Sequence, residues 1–223
     1  MTRRNHPAHR CDGCRMHTSL CVCALIPRLE TRTRLVLFIH RTEDRKTTNT
    51  GRLAAQCLSN SAVVVRGHVS ASAAPFMWDP SSQPVLLFPH EDAIPLARFA
   101  ASERPVTLIV PDGTWRQAAK VRNRVPGLRD VPSVSLPPGA LSMYRLRTEA
   151  REEGLATIEA VARAMAILEG EHVREALEHV FRMIVERTLW ARGDVEEADV
   201  TGGIPEGAMR HDPRSGPARA AST

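Results

Sequence analysis

Residues 106–120 read VTLIVPDGTWRQAAK. Val106, Leu108, Ile109 and Val110 make a short continuous apolar run, the pattern of a strand covered on both faces in a parallel sheet. Asp112-Gly113 turns the chain after Pro111, and Thr114 is placed to cap a helix beginning at Trp115. Strand, turn and helix in this order predict an α/β fold. In open sheets of that class ligands gather beyond the carboxyl ends of the strands, so Asp112 is expected at the mouth of a binding crevice. A turn aspartate also serves as a plain helix cap, and the stretch alone leaves both roles open.

Outward from this unit the same design recurs. Residues 34–39, RLVLFI, form a first strand that ends in the polar run from His40 to Lys46. Residues 48–58, TNTGRLAAQCL, then turn from loop to helix, and Asn49, Thr50 and Gly51 stand where backbone N–H groups either face an anion or are capped. Residues 62–65, 85–88 and 133–136 are further short strands, with a Ser-, Ala- and Pro-rich loop over 70–82 that carries Trp78. A short helix is expected over 95–102 and a longer one over 115–124. On the latter, Arg116, Lys120 and Arg124 share a face. Such a face tracks an RNA backbone or is merely solvated.

After Pro137-Pro138-Gly139 comes a second polar focus, LSMYRLRTE at 141–149, where Ser142, Arg145, Arg147, Thr148 and Glu149 crowd together without apolar periodicity. Two amphipathic helices follow. Ile158, Val161, Met165 and Leu168 stripe the first, over 157–168; Val173, Leu177, Val180, Phe181 and Ile184 stripe the second, over 171–190.

Four of the five cysteines lie in CDGCRMHTSLCVC as Cys11, Cys14, Cys21 and Cys23. C-x-x-C and C-x-C across a short polar loop let four thiolates converge on one ion, the usual way of holding structural zinc, with iron or disulfides as alternatives. A closed Cys₄ set has no open position for substrate, so a structural role is expected. Arg10 and Arg15 are near enough in sequence to offset its negative charge. Cys57 falls in a helical pattern and reads as a small core residue.

The chain has 223 residues and a formal net charge of +5, carried almost wholly by arginine, with Lys46 and Lys120 the only lysines. That length suits one sizeable core plus an appendage. Arginine excess suits an anionic partner such as RNA, although coding-sequence composition yields it too. No run is long and apolar enough for a membrane span, and the N-terminal stretch lacks the apolar core of a secretory signal, so a soluble cytoplasmic protein is expected. The expected organisation is a flexible basic lead-in (1–10), a Cys₄ zinc knuckle (11–30), a catalytic domain (31–192) and a disordered tail (193–223).

Taken in order, the cysteine knuckle, TNTG, DGTW and SxYRLRTE resemble the DTW-domain family over roughly residues 11–168. The resemblance implies a SPOUT-like parallel sheet flanked by helices, with a C-terminal trefoil knot. It also implies a tRNA-uridine aminocarboxypropyltransferase, which moves the 3-amino-3-carboxypropyl group of S-adenosylmethionine to N3 of a uridine and releases methylthioadenosine. On that chemistry Asp112 takes the N3 proton. Arg145, Arg147 or the amides near Thr50 and Gly51 cradle the α-carboxylate of the arm. Ser142 and Glu149 hold its amino group and orient the arginines. Gly113, Thr114 and Trp115 complete the cofactor wall with Asn49, and Trp115 either stacks on a base or packs in the core. A methyltransferase of the same fold and a non-catalytic zinc-knuckle RNA-binding protein are the alternatives, and the oligomeric state is monomer or homodimer. The family pattern favours proline after the strand-end histidine, where this chain has Arg41, which leaves the role of His40 open.

Overall fold

The computed structural model describes residues 9–67, 77, 79–146 and 154–211. Arg147, Glu149, Trp78 and the last part of the expected tail lie outside the described residues.

Six parallel strands form one sheet in the order β2-β1-β5-β3-β6-β4. They are β1 (Arg34–His40), β2 (Ser61–Arg66), β3 (Gln83–Leu87), β4 (Ile94–Pro95), β5 (Val106–Asp112) and β6 (Ser133–Ser135). The two longest strands, β1 and β5, lie side by side in the interior of the sheet. Leu35 to Ile39 and Val106 to Val110 are all buried, because central parallel strands have no wet face. Their register pairs Ile39 with Asp112, so the polar ends of β1 and β5 emerge at the same edge of the sheet.

One face is covered by α2 (Gly51–Cys57), α5 (Thr157–Leu168) and α6 (Glu171–Arg192), and alternate strand residues point into this main core. The opposite face is thinner. There Val36, Phe38, Leu86 and Ile109 meet Val125, Leu128 and Val131 from the segment after β5. The stripes expected on α5 and α6 are the ones buried: Ile158, Val161 and Met165 on the first, Val173, Leu177, Val180 and Phe181 on the second.

Two expected helices differ. The single helix over 115–124 is two short ones, α3 (Trp115–Ala118) and α4 (Val121–Arg124), with Lys120 as N-cap of the second. The Lys120 amide bonds back to the Gln117 carbonyl, a 3₁₀-type closure that tightens the first turn to an end. Pro126 then holds Val125 extended and stops α4. Arg116, Lys120 and Arg124 therefore do not share one helical face, and Arg122 is committed to Asp92 through two contacts of 2.9 and 2.7 Å. Over 95–102 the chain forms the end of β4 and a 3₁₀ turn, Leu96–Phe99.

The third core binds the two termini to α6. Met16, Leu20 and Val22 from the cysteine segment pack with Trp190, Ala191 and Val200. Residues 193–211, expected in a disordered tail, thus fold back along α6. Their few apolar residues, Val195, Val200, Ile204 and Ala208, have no periodicity of their own and fill the gap between knuckle and helix. No helix among the described residues is long and apolar enough to cross a membrane.

Candidate active site and cysteine centre

Beyond the carboxyl ends of β3, β5 and β6 opens a cleft of about 780 Å³. Asp112, the last residue of β5, projects into it and is 8% exposed. Its two carboxylate oxygens are held from opposite sides. The Asn49 amide donates to Oδ2 at 2.5 Å, and the Thr157 hydroxyl, at the start of α5, donates to Oδ1 at 2.8 Å. Asn49 is itself fixed, because its Oδ1 accepts the Arg52 amide, in the first turn of α2, at 3.1 Å. Gly51 lies directly beneath. A Cβ there would stand 2.5 Å from Asp112 Oδ2, so only glycine lets α2 approach so closely.

TNTG and DGTW are thus one constellation. Thr50 adds a further tie, its hydroxyl oxygen accepting the Ile158 amide at 3.4 Å. Thr114 caps α3 as expected: its hydroxyl accepts the Gln117 amide, while the Gln117 side chain accepts the Thr114 amide at 2.8 Å. Gly113 and Thr114 line the cleft, and so does Trp115, whose ring tilts against Phe88 at 5.7 Å. Gln117 also reaches His40 Nδ1 at 3.0 Å. His40 caps the short helix α1 (Arg41–Asp44), accepting the Thr42 amide at 3.3 Å. Arg41 therefore occupies the first helical position, where proline is equally at home.

The second polar focus is arranged differently from the sequence expectation. Ser142 donates to Glu159 Oε2 at 2.6 Å, and its oxygen accepts the Tyr144 amide at 3.1 Å. Glu159, 5% exposed, also accepts the amides of Met143 at 2.7 Å and Ala156 at 2.8 Å. One buried carboxylate thereby pins the 142–144 loop to the start of α5. Tyr144 is buried against Phe181, with its hydroxyl donating to the Thr48 carbonyl at 3.0 Å, and so packs the loop onto the core. Arg145 is exposed and is not among the residues lining the cleft. Among the described residues the arginines that do line it are Arg116 and Arg163, the latter donating to the Ala140 carbonyl. Glu43, buried and bonded to Lys46 at 2.5 Å, lines it too.

Thr157, Glu159, Arg163 and Glu43 were not singled out from the sequence. Arg163 left a usable signal, a lone cation within the apolar run of α5. Thr157 and Glu159 read as an ordinary helix start, and Glu43 was one polar residue in a polar run.

Nearer the N-terminus Cys11, Cys14, Cys21 and Cys23 bring all four sulfurs within 4.8 Å of one another, a set that could hold a metal ion. Gly13 permits it, since a Cβ there would meet Cys23 Sγ at 2.7 Å. The thiols perturb one another. The Cys14 backbone amide lowers Cys11 to about 7, whereas burial first and the neighbouring sulfurs next push Cys23 up. Arg187, on α6 and 3% exposed, faces this cluster. Its guanidinium donates to the carbonyls of Cys21 at 2.9 Å, Gly203 at 2.9 Å and Gly202 at 3.1 Å. Burial lowers its pKa, and the charges of Cys21 and Cys14 work against that. Arg187 thus brings a buried positive charge to the cluster, while Arg15, one of the two arginines expected to offset it, pairs with Asp44.

The model of the DTW domain matches residues 8–189, which includes both the cysteine centre and the cleft. The chain belongs to the DTW domain family. A tRNA-uridine aminocarboxypropyltransferase 2 from Drosophila melanogaster is 30% identical over 175 residues, 75% of this chain and 68% of that protein. Proteins of the same name from Macaca fascicularis and Mus musculus are 29% and 28% identical, over 77% and 71% of this chain, which spans 61% and 56% of their lengths. Among solved structures, the SAM-dependent rRNA:acp-transferase Tsr3 from Vulcanisaeta distributa aligns at 21% identity and a TM-score of 0.43, over 75% of this chain and 79% of that one.

Proposed function

We propose that this DTW-domain protein transfers the 3-amino-3-carboxypropyl group of S-adenosylmethionine to N3 of a tRNA uridine. The observation that carries the reading is the cleft beyond β5, in which a rigidly held carboxylate, Asp112, faces a space large enough for a nucleoside with an amino-acid arm. The names borne by the family relatives support the substrate class.

The groups lining the cleft suit S-adenosylmethionine. Arg116 and Arg163 offer guanidinium groups for the arm's α-carboxylate, and Glu43 and Asp112 offer carboxylates for its ammonium and the sulfonium. Uridine N3 is a poor nucleophile while it carries its proton. Asp112, fixed by Asn49 and Thr157, accepts that proton as N3 forms a bond to the methylene carbon beside the sulfonium. The carbon–sulfur bond breaks with its electron pair going to sulfur, so neutral methylthioadenosine leaves. Choice of the carboxypropyl arm over the methyl group is a matter of which carbon is held in line with N3. The Ser142–Glu159 network holds the loop that carries Tyr144, a residue of the cleft wall.

The cysteine centre fits zinc. Four sulfurs at about 2.3 Å from a tetrahedral ion stand roughly 3.8 Å apart. Cys11–Cys23, Cys21–Cys11 and Cys14–Cys21 are separated by 3.4, 3.5 and 3.7 Å. The ion would hold the knuckle on α6 and takes no part in transfer. The SPOUT-like description and the trefoil knot belong to this same reading.

Incubation of the purified protein with tRNA and S-adenosylmethionine tests the reaction class. Methylthioadenosine is the expected by-product. S-adenosylhomocysteine would make the protein a methyltransferase, and neither product, with tRNA still bound, would make it a binding protein.

A further inference from the structure

A second, smaller crevice of about 80 Å³ lies between the cysteine knuckle and the sheet domain. Its walls come from the knuckle, the loop before α2, α2 itself and the end of α6. Four arginines line it, Arg10, Arg15, Arg52 and Arg192, and among the described residues no carboxylate does. Asp44, set behind, pairs with Arg52 at 2.5 Å and with Arg15 at 3.6 Å. Arg192 differs from these two. Its Nε is buried and has no hydrogen-bond partner among the described residues, an expensive state for a guanidinium unless a ligand completes it. Thr188, one helical turn earlier on α6, lines the same space.

The crevice and the cleft are back to back. Thr48, Asn49, Thr50 and Tyr144 line both, and Asn49 is the residue that holds Asp112. The smaller volume admits a compact anion and no nucleoside.

We propose that this crevice binds a backbone phosphate of the substrate RNA close to the nucleotide that enters the cleft, with Arg192 as its principal ligand. The inference rests on the reading of the protein as a tRNA-modifying enzyme. It gives the knuckle a second use: by closing one wall of the crevice, the cysteine centre shapes the RNA site while staying clear of the chemistry. Phosphate contacts of this kind fix the register of a nucleic acid without reading its sequence.

The test is tRNA binding without S-adenosylmethionine, measured by filter retention across a range of potassium chloride concentrations. Wild type is compared with Arg192→Gln and with Thr188→Glu, which places a carboxylate in the crevice; circular dichroism establishes that each variant is folded. Arg192→Gln is expected to weaken tRNA binding roughly tenfold and to flatten the logarithmic salt slope by about 0.7–0.9, the share of one phosphate. Thr188→Glu is expected to weaken binding at least as much. Affinity for S-adenosylmethionine, measured by calorimetry, stays at the wild-type value in both. Folded variants that bind tRNA with the wild-type affinity and slope would overturn the proposal, as would variants that lose S-adenosylmethionine instead. If the variants lose tRNA as expected while the wild type yields no methylthioadenosine, the phosphate site stands and the transfer reading falls.

Discussion

Gly51→Ala adds one methyl group under the carboxylate on which the proposed chemistry depends. Its Cβ would stand 2.5 Å from Asp112 Oδ2 and 3.1 Å from Cγ. Ordinary contact for such atoms is about 3.5 Å, so roughly 1 Å must be found by moving Asp112 or the start of α2. Asp112 has no easy direction to yield, because Asn49 and Thr157 hold its two oxygens. Moving a reacting group by about 1 Å costs on the order of a hundredfold in rate. The effect on folding is much smaller. Alanine gains up to about 1 kcal/mol over glycine in a helix, and a weakened hydrogen bond to a charged group loses about 1.5–3 kcal/mol. A net loss of about 1–2 kcal/mol lowers the melting temperature by roughly 2–8 °C in a chain of this size. The assay is kcat for tRNA modification at saturating concentrations of both substrates, beside a thermal melt. The expected result is a folded protein about a hundredfold slower. A Gly51→Ala variant that melts a few degrees lower and turns over at the wild-type rate would refute the claim that catalysis needs Asp112 in this position.

Three further outcomes are expected. Glu159→Ala leaves the Met143 and Ala156 amides without their buried acceptor, which costs about 2–4 kcal/mol; KM for S-adenosylmethionine should rise as the 142–144 loop loosens, and unchanged KM with lowered stability would confine Glu159 to folding. Arg187→Met strips partners from the carbonyls of Cys21, Gly202 and Gly203 beside the thiolate cluster, so the purified variant should carry less metal and melt lower by about 3–5 kcal/mol of stability; full metal content, read by elemental analysis, would contradict its role as counter-charge. Chelation of the ion should expose the knuckle to protease at residues 9–25 before the sheet is cut, and simultaneous loss of both would show that the centre supports the whole fold.

Much of this arrangement was legible in the chain. The parallel sheet followed from apolar runs at β1 and β5 that leave no position for a wet face, and Asp112 was placed by the turn that ends β5. The cysteine set followed from spacing alone. What the sequence hid were contacts between segments far apart. Asn49 and Thr157 meet Asp112 across 63 and 45 residues, and no local pattern records such a meeting. Glu159 looked like a helix-start carboxylate because it is one; its grip on Ser142 depends on a loop arriving from 17 residues away. The split between α3 and α4 was missed because charge spacing continues through a turn that backbone bonding interrupts. Residues 193–211 looked disordered because their apolar residues are few and aperiodic. They are ordered by a groove that the knuckle and α6 make together.

The central claim, transfer of the carboxypropyl arm by way of Asp112, is met most directly by nucleoside mass spectrometry of tRNA incubated with S-adenosylmethionine labelled in the carboxypropyl carbons. Wild type and Asp112→Asn are run in parallel. The account predicts labelled 3-(3-amino-3-carboxypropyl)uridine from the wild type and a loss of at least a hundredfold from a folded Asp112→Asn that still binds S-adenosylmethionine. Equal labelling by the two proteins, or label absent from uridine in both, would contradict it.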